Sequence, residues 1–289
     1  MTTQLPMPVT APFSKAQRAM LVNLIARAVR SEIMPRFRNL DDSQIQTKAG
    51  PSDLVTQADL AAEAMIKRGL QTAFPSAVII GEEAAETDPE FRQKLNEAEL
   101  GLIIDPVDGT WNFANGLPVF GTILAATRFG RPVFGLIYDP IGQDFIWTDI
   151  ETASTWVPRG KRARPLTSSA QTALSKLKGY VDLVFMPEDE KAKASHAALA
   201  LGEVTTLRCS AHHYRLLAQG SVDFVMANKL NPWDHAAGVL LCQKAGGHAA
   251  MLDGTPYTTG IESGYLLCAG NKDMWDALAA HFHELQPEV

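Results

Sequence analysis

Cysteine is scarce in this 289-residue chain: Cys209, Cys242 and Cys268 are the only three, and none stands in a CxxC spacing. An odd, scattered set excludes a disulfide framework or a zinc-ribbon site and suits reduced thiols in a cytoplasm. Positive charge is also short, with 26 Lys and Arg against 32 Asp and Glu for a net −6. That balance speaks against nucleic acid or an anionic membrane as partner, since such binders carry a basic excess or stripe. Long apolar runs are missing, and none approaches the roughly 20 residues of a membrane-spanning helix. The opening MTTQLPMPVTAPFSKAQ has no basic stretch followed by an apolar one, so no secretion signal is expected. Repeats and low-complexity tracts are absent as well. What remains is 46% hydrophobic and 20% charged, the composition of a chain with a substantial core. At this size roughly three quarters of the unfolded surface can be buried.

Pattern divides the chain into three stretches. Residues 1–13, rich in Pro and Thr, read as a flexible arm. Residues 14–157 read as an α+β half, beginning with a helix capped by Ser14 and Gln17 whose apolar stripe is Met20, Leu24, Ile25, Ala28 and Ile33. A second helix fits Gln57 to Phe74, with Leu60, Ala64 and Leu70 inward. Strands are expected at Ala77–Ile80, Leu100–Ile104, Thr122–Arg128, Val133–Tyr138 and Phe145–Thr148, the third and fourth joined by a hairpin at Phe129-Gly130-Arg131-Pro132. The basic stretch Pro158–Pro165 joins this half to an α/β half over 158–289. There, helices at His212–Gln219, Asp234–Ala245 and from Asn271 to about Leu285 alternate with strands at Val222–Met226 and Tyr265–Ala269.

The chemistry lies in acidic residues at strand ends. Asp105 and Asp108 follow an apolar strand, separated by Pro106 and followed by Gly109, so the chain bends and both carboxylates can converge with the Val107 carbonyl between them. Two carboxylates forced together repel unless a cation neutralises them, and hard oxygen ligands select Mg²⁺, Mn²⁺ or Ca²⁺. A helix-capping Asp beside a turn Asp is the competing reading. Gly81-Glu82-Glu83 ends the preceding strand and offers another carboxylate to the same edge, or simply a solvated loop. Asp234 and Asp59 each stand in a helical first turn, where a carboxylate also complements the helix dipole. Gly109 and Thr110 open a helix whose free N–H groups can meet an anion, and the Thr110 hydroxyl can position a water if Asp59 accepts its proton. Cation-holding carboxylates beside an anion-holding helix start imply a phosphate bridging the two.

Gly81-Glu82-Glu83, the run Asp105-Pro-Val-Asp-Gly-Thr-Trp-Asn-Phe113 and Trp233-Asp-His-Ala-Ala-Gly238 together resemble, in order, the three signatures of the inositol monophosphatase family. That family is one of the lithium-sensitive, metal-dependent phosphatases, which also include fructose-1,6-bisphosphatase and 3′-phosphonucleotidases. The resemblance, which runs from about residue 14 to the final helix, implies a layered αβαβα sandwich of the sugar-phosphatase type. It also implies hydrolysis of a small soluble phosphate ester by a homodimer that uses two or three Mg²⁺ ions per site. Carried over residue by residue, Glu82, Asp105 and the Val107 carbonyl hold a first metal, and Asp105, Asp108 and Asp234 a second. A third, weaker metal again leans on Glu82, which counts with Thr110 and Asp59 among the catalytic residues. Gly109 and Thr110 hold the phosphate through their amides.

Departures concern the leaving-group side. Where inositol-handling members have a small Gly-Ser/Thr-Ala segment, this chain has Arg208-Cys209-Ser210, and Arg208 and Ser210 are its candidate substrate-binding residues. Seven residues before Asp234, where such members carry Glu, stands Ala227. A weak preference for inositol 1-phosphate and tolerance of a second anionic group on the substrate are therefore expected. Histidinol phosphate, a sugar bisphosphate and a 3′-phosphonucleotide stay open as substrates. A non-catalytic phosphate- or metal-binding protein and a paired-carboxylate glycosidase are the readings from other classes. The adjacent His212 and His213 point different ways on a helix and make a poor metal pair. Cys209 reads as a packed thiol, His235 as a residue that could orient Asp234, and His281 and His283 as exposed.

Overall fold

The computed structural model describes residues 11–48, 50 and 54–285. Two sheets carry the fold. The first has seven strands in the order Val78–Gly81, Gly101–Asp108, Gly121–Arg128, Arg131–Asp139, Asp144–Asp149, Thr155–Val157 and Arg164–Pro165. Only the first pair is parallel; the rest meander antiparallel. The second has five strands, ordered Glu203–Thr205, Lys178–Val181, Phe224–Ala227, Leu266–Ala269 and His248–Met251. Among the described residues no helix is long and apolar enough to cross a membrane.

Strand alternation sorts the side chains into three cores. Leu102, Ile104, Leu124, Ala126, Phe134 and Leu136 face the helices Lys15–Ala28 and Gln57–Ala73, meeting Leu21, Ile25, Ile66 and Leu70. Ile103, Ile123, Ala125 and Ile137, one residue out of phase, face the helices Ser210–Ala218 and Pro232–Lys244. Those helices rest in turn on Val225, Cys268 and Ala249 of the second sheet. The far face of that sheet, with Phe224, Met226 and Leu267, packs on the helix Lys272–His281 through Met274, Trp275 and Leu278. A period of two along each strand thus yields the αβαβα layering that the resemblance implies.

Local signals hold at most termini. Ser14 and Gln17 form the expected capping box, and Phe129 and Gly130, both at positive φ (49° and 73°), make the two-residue hairpin turn that matches strand twist. Other expectations are corrected. Phe13 is not part of a flexible arm: it is 3% exposed and packs against Phe74 and Phe134, while residues 1–10 lie outside the described residues. Leu60 and Ala64 point outward from the second helix, because its inward face carries Asp59, Ala62, Glu63, Ile66 and Leu70. Pro158–Pro165 does not lead straight into the second half; it turns back so that Arg164–Pro165 pairs with Thr155–Val157 at the sheet edge. The helix Glu188–Ala198 and the strands Lys178–Val181 and His248–Met251 have no counterpart in the sequence reading.

Candidate active site

Parity is the first problem for Asp105 and Asp108, since residues three apart in a regular strand face opposite sides. The ladder solves it: Asp105 pairs with Ile123 and Asp108 with Gly121, so the strand holds one extra residue there, a bulge at Pro106-Val107. Pro106 donates no ladder hydrogen bond, and its carbonyl accepts the Thr122 hydroxyl at 2.8 Å. Both carboxylates therefore turn to one side. Asp234 reaches them from the first turn of the helix Pro232–Lys244, which lies unusually close to its neighbours. A Cβ at Gly238 would come 2.1 Å from the Tyr214 ring, and one at Gly135 of the sheet 2.8 Å from the Ala237 carbonyl. Carboxylate oxygens of Asp105, Asp108 and Asp234 lie within 4.8 Å of one another.

One pocket collects most of the expected residues: Glu82, Asp105, Asp108, Gly109, Thr110, Arg208, Ser210 and Asp234 all line it. Glu82 opens the short helix Glu82–Ala85 and is not in the tight trio; its carboxylate sits 3.5 Å from Lys48. Val107 offers its carbonyl to the Thr110 hydroxyl at 2.9 Å, and the same hydroxyl is 3.4 Å from Asp59 Oδ1. Asp59 is fully buried, its Oδ2 held by the Thr56 N–H at 2.9 Å and the Thr56 hydroxyl at 2.5 Å. Ser210 approaches Asp108 through its amide, at 3.1 Å. Asp108 also accepts from the Ala211 N–H at 2.6 Å and the Cys209 thiol at 2.9 Å, which makes it a cap for the helix Ser210–Ala218 from across the chain.

Burial and mutual repulsion act on these acids in the same direction. Glu82 and Asp105 are held well above the usual carboxylate range, first by burial and then by neighbouring carboxylates. For Asp108 burial and Asp234 push the value up to about 7; burial alone takes Asp59 up to about 6 against its Thr56 hydrogen bonds. Asp105 Oδ1 is buried and has no hydrogen-bond partner among the described residues. Such an acceptor is costly unless something cationic meets it. An all-oxygen, anionic donor set with one unspent buried acceptor fits a hard divalent cation such as Mg²⁺.

Sequence reasoning missed several participants. Lys48 places its ammonium 2.7 Å from Glu83 and 2.8 Å from Glu86, besides Glu82. Glu63 accepts the N–H groups of Glu83 and Ala84 and so fixes the helix start at Glu82. Its position one turn after Asp59 was the available signal. Asp182, Phe185, Lys229 and Asn231 also line the pocket, and nothing local marks them. His235 spans the Tyr214 hydroxyl (3.0 Å) and the Lys229 carbonyl (2.8 Å). Cys209 is a buried thiol as expected, its ionisation pushed up by burial and by Asp108. His213 stacks on Tyr180 at 4.4 Å and is kept neutral by burial, down to about 3. His281 is half-buried against the Ala197 carbonyl, not exposed.

Comparison with known proteins shows the family. A family profile described as the inositol monophosphatase family matches residues 16–287. The chain belongs to the inositol monophosphatase family. Among curated relatives, a histidinol-phosphatase of Streptomyces coelicolor is 30% identical over 278 residues, covering 91% of this chain and 96% of that protein. A chloroplastic bifunctional phosphatase of Arabidopsis thaliana is 31% identical over 78% of this chain, which spans 61% of that longer protein. The solved inositol monophosphatase of Zymomonas mobilis superposes with a TM-score of 0.74 at 24% identity, over 94% of this chain and all 100% of that one. The family assignment agrees with the three signatures quoted from the sequence.

Proposed function

We propose that this chain is a Mg²⁺-dependent phosphomonoesterase acting on a small soluble substrate, inositol phosphatase-like in mechanism. The observation that carries the reading is the trio Asp105, Asp108 and Asp234, with an unpartnered Asp105 Oδ1, in one pocket with Thr110 and its neighbour Asp59. Glu82, Asp105, Asp108, Asp234 and the Val107 carbonyl would hold two or three Mg²⁺ ions. When bound, these supply charge neutralisation of the phosphoryl oxygens and acidify water.

The protein's own groups do the rest. Amides of Gly109 and Thr110, at a helix start with no intrahelical acceptor, hold phosphate oxygens. Thr110 Oγ1 takes a proton from the attacking water as its own proton passes to Asp59 Oδ1, 3.4 Å away. A carboxyl poised at about 6 is charged at neutral pH and still basic enough to take that proton. As the water oxygen bonds to phosphorus, the ester P–O bond breaks and the leaving alkoxide takes a proton from solvent. Arg208 and Ser210 face the leaving group from the pocket wall.

The histidinol-phosphatase relative keeps histidinol phosphate among the candidate substrates, beside inositol phosphate, a sugar bisphosphate and a 3′-phosphonucleotide. Three unpaired, buried cysteines support a reducing, cytoplasmic setting, and a homodimer is the assembly expected of the family. The test is phosphate release from a panel of monoesters with Mg²⁺, with and without EDTA. Chelator-sensitive release supports the reading. Turnover indifferent to EDTA, or none on any monoester, refutes it and returns the paired-carboxylate or non-catalytic readings. Sedimentation of the purified chain decides the dimer.

A further inference from the structure

The connection 228–231, between the strand Phe224–Ala227 and the helix Pro232–Lys244, brings Lys229 and Asn231 to the lining of the active-site pocket. Asn228 instead lines a separate groove, together with Ile261 and Glu262. Backbone groups in such a connection belong to neither sheet nor helix and must find partners elsewhere. Two consecutive carbonyls find them in side chains. His235 Nε2 lies 2.8 Å from the Lys229 carbonyl, with the Tyr214 hydroxyl at its Nδ1. The Leu230 carbonyl accepts from Arg92 Nη2 at 3.0 Å, and the Leu230 side chain is buried in the core. Asn228 Nδ2 donates to the Phe185 carbonyl at 3.0 Å, which ties the connection to a second stretch of pocket lining.

Arg92 makes the longest-reaching of these ties. It stands on the helix Phe91–Glu97, outside the three signatures, and does not itself line the pocket. Its Nη1 donates to the carbonyls of Thr259 at 2.8 Å and Ile261 at 2.9 Å, so one guanidinium fastens the pocket wall to the turn 259–261. Glu262 comes no nearer than 3.9 Å to Nε, with a side chain 74% exposed, and an ion pair of that kind is worth little. The guanidinium therefore serves through its planar fork of donors on main-chain carbonyls, which a compact ammonium cannot reproduce. Phe91 packs on Trp233 at 5.6 Å, so the first turn of the helix Pro232–Lys244, and with it Asp234, has a support of its own.

We infer that Arg92 is a positioning residue for the substrate: by holding the Leu230 carbonyl it fixes the wall that carries Lys229 and Asn231, and so governs how tightly the leaving group binds. This deepens the phosphomonoesterase reading and rests on it. The metal and phosphate end of the pocket is built from other elements, namely the bulged strand Gly101–Asp108, the Thr110 helix start and the helix Glu82–Ala85. A displaced wall therefore weakens contacts that substrate and transition state share, which shows in KM and not in kcat.

The test compares Arg92→Met and Arg92→Lys with the wild-type chain, well below each melting temperature. Inositol 1-phosphate, histidinol phosphate and glycerol 2-phosphate serve as substrates, and inorganic phosphate as competitive inhibitor. Inorganic phosphate has no leaving group, so its Ki reports the metal and phosphate end alone. In Arg92→Met, KM for the best ester should rise by about tenfold, the scale of one hydrogen bond lost at the wall. Its kcat, the Ki of phosphate and the Mg²⁺ half-saturation should each stay within about twofold. Arg92→Lys should show the same pattern more weakly, and Glu262→Gln should leave every quantity unchanged. Equal rises in KM and Ki, or a shifted Mg²⁺ half-saturation, overturn the inference, because Arg92 would then act through Asp234 or through the fold as a whole. Wild-type kinetics in a folded Arg92→Met overturn it too; if that variant does not fold, wild-type kinetics in Arg92→Lys do so. If the wild-type chain releases no phosphate from any of these esters with Mg²⁺, the phosphomonoesterase reading has failed and the inference falls with it.

Discussion

Removing divalent cations should turn the usual pH dependence of stability around. Asp108 rises from 3.8 to about 7 and Asp59 from 3.8 to about 6 in the folded chain, chiefly through burial. Each pH unit between folded and unfolded values is worth about 1.4 kcal/mol. Keeping Asp108 ionised above both values therefore costs about 4 kcal/mol, and Asp59 about 3 kcal/mol. Because the folded values are raised, the folded state binds protons that the unfolded state has already released. The stabilising protonation is complete below about pH 4 and is lost as pH rises through about 6 and then 7. Between pH 8 and pH 5 Asp108 alone should return roughly 3 kcal/mol, or a Tm higher by about 5 °C for a chain of this size. Thermal melts in EDTA across that range, repeated with saturating Mg²⁺, measure it. A bound cation favours the ionised acids, so the Tm gain from Mg²⁺ should grow with pH. A metal-free Tm that falls steadily from pH 8 to pH 5, with a Mg²⁺ gain independent of pH, would refute the electrostatic account of the cluster.

Four further outcomes follow from named contacts. Asp105→Asn removes the charge at the centre of the acidic trio, so turnover at saturating Mg²⁺ should vanish while the metal-free melt is no lower than wild type; substantial turnover would remove Asp105 from the metal site. Thr110→Ala should lower kcat by on the order of a hundredfold with little change in KM, and a pure KM effect in steady-state kinetics would make Thr110 a binding residue instead. Gly238→Ala drives a methyl group into the Tyr214 ring 2.1 Å away; overpacking of this kind costs about 3 kcal/mol, and an unshifted melting curve would contradict the close helix approach. Lithium at millimolar concentration should inhibit phosphate release, as the resemblance to lithium-sensitive phosphatases implies, with Asp105, Asp108 and Asp234 as the site it enters; unaffected rates would point to a differently built second metal site.

What could be read from the sequence was local. The bend at Pro106 and Gly109, the Thr110 helix start and the apolar strands around them are written in consecutive residues, and the αβαβα layering follows from strand alternation. What could not be read was set by tertiary demands that oppose local preference. The helix Gln57–Ala73 was phased by hydrophobicity with Leu60 inward, yet Leu60 is 42% exposed and Asp59 and Glu63 are buried. The site needs carboxylates on that face, and a periodicity argument assigns carboxylates to water. The helix Glu188–Ala198 escaped because Ala194 is its single buried residue, which leaves no apolar stripe. His248–Met251 is a strand through its pairing with Leu266–Ala269, not through its own weak propensity. Lys48 reaches Glu82, Glu83 and Glu86 from a chain position far upstream of them, and no spacing rule could gather it.

The buried acids also differ in how much of each carboxylate the protein has already committed, and that difference orders their roles. Glu63 has both oxygens occupied, by the N–H groups of Glu83 and Ala84, so it is a structural cap and has nothing left for a ligand. Asp59 commits Oδ2 to Thr56 and keeps Oδ1 toward Thr110, the division a proton acceptor needs if it is to stay fixed while it titrates. Asp108 accepts on both oxygens from the Cys209–Ala211 turn, which holds its carboxylate still and leaves lone pairs for a second partner. Asp105 Oδ1 has no donor at all. A buried, unsatisfied acceptor among like charges is the arrangement folding alone would remove first. Asp59, Glu63 and Asp108 each accept backbone N–H groups, so among these four acids the demand for a cation falls on Asp105.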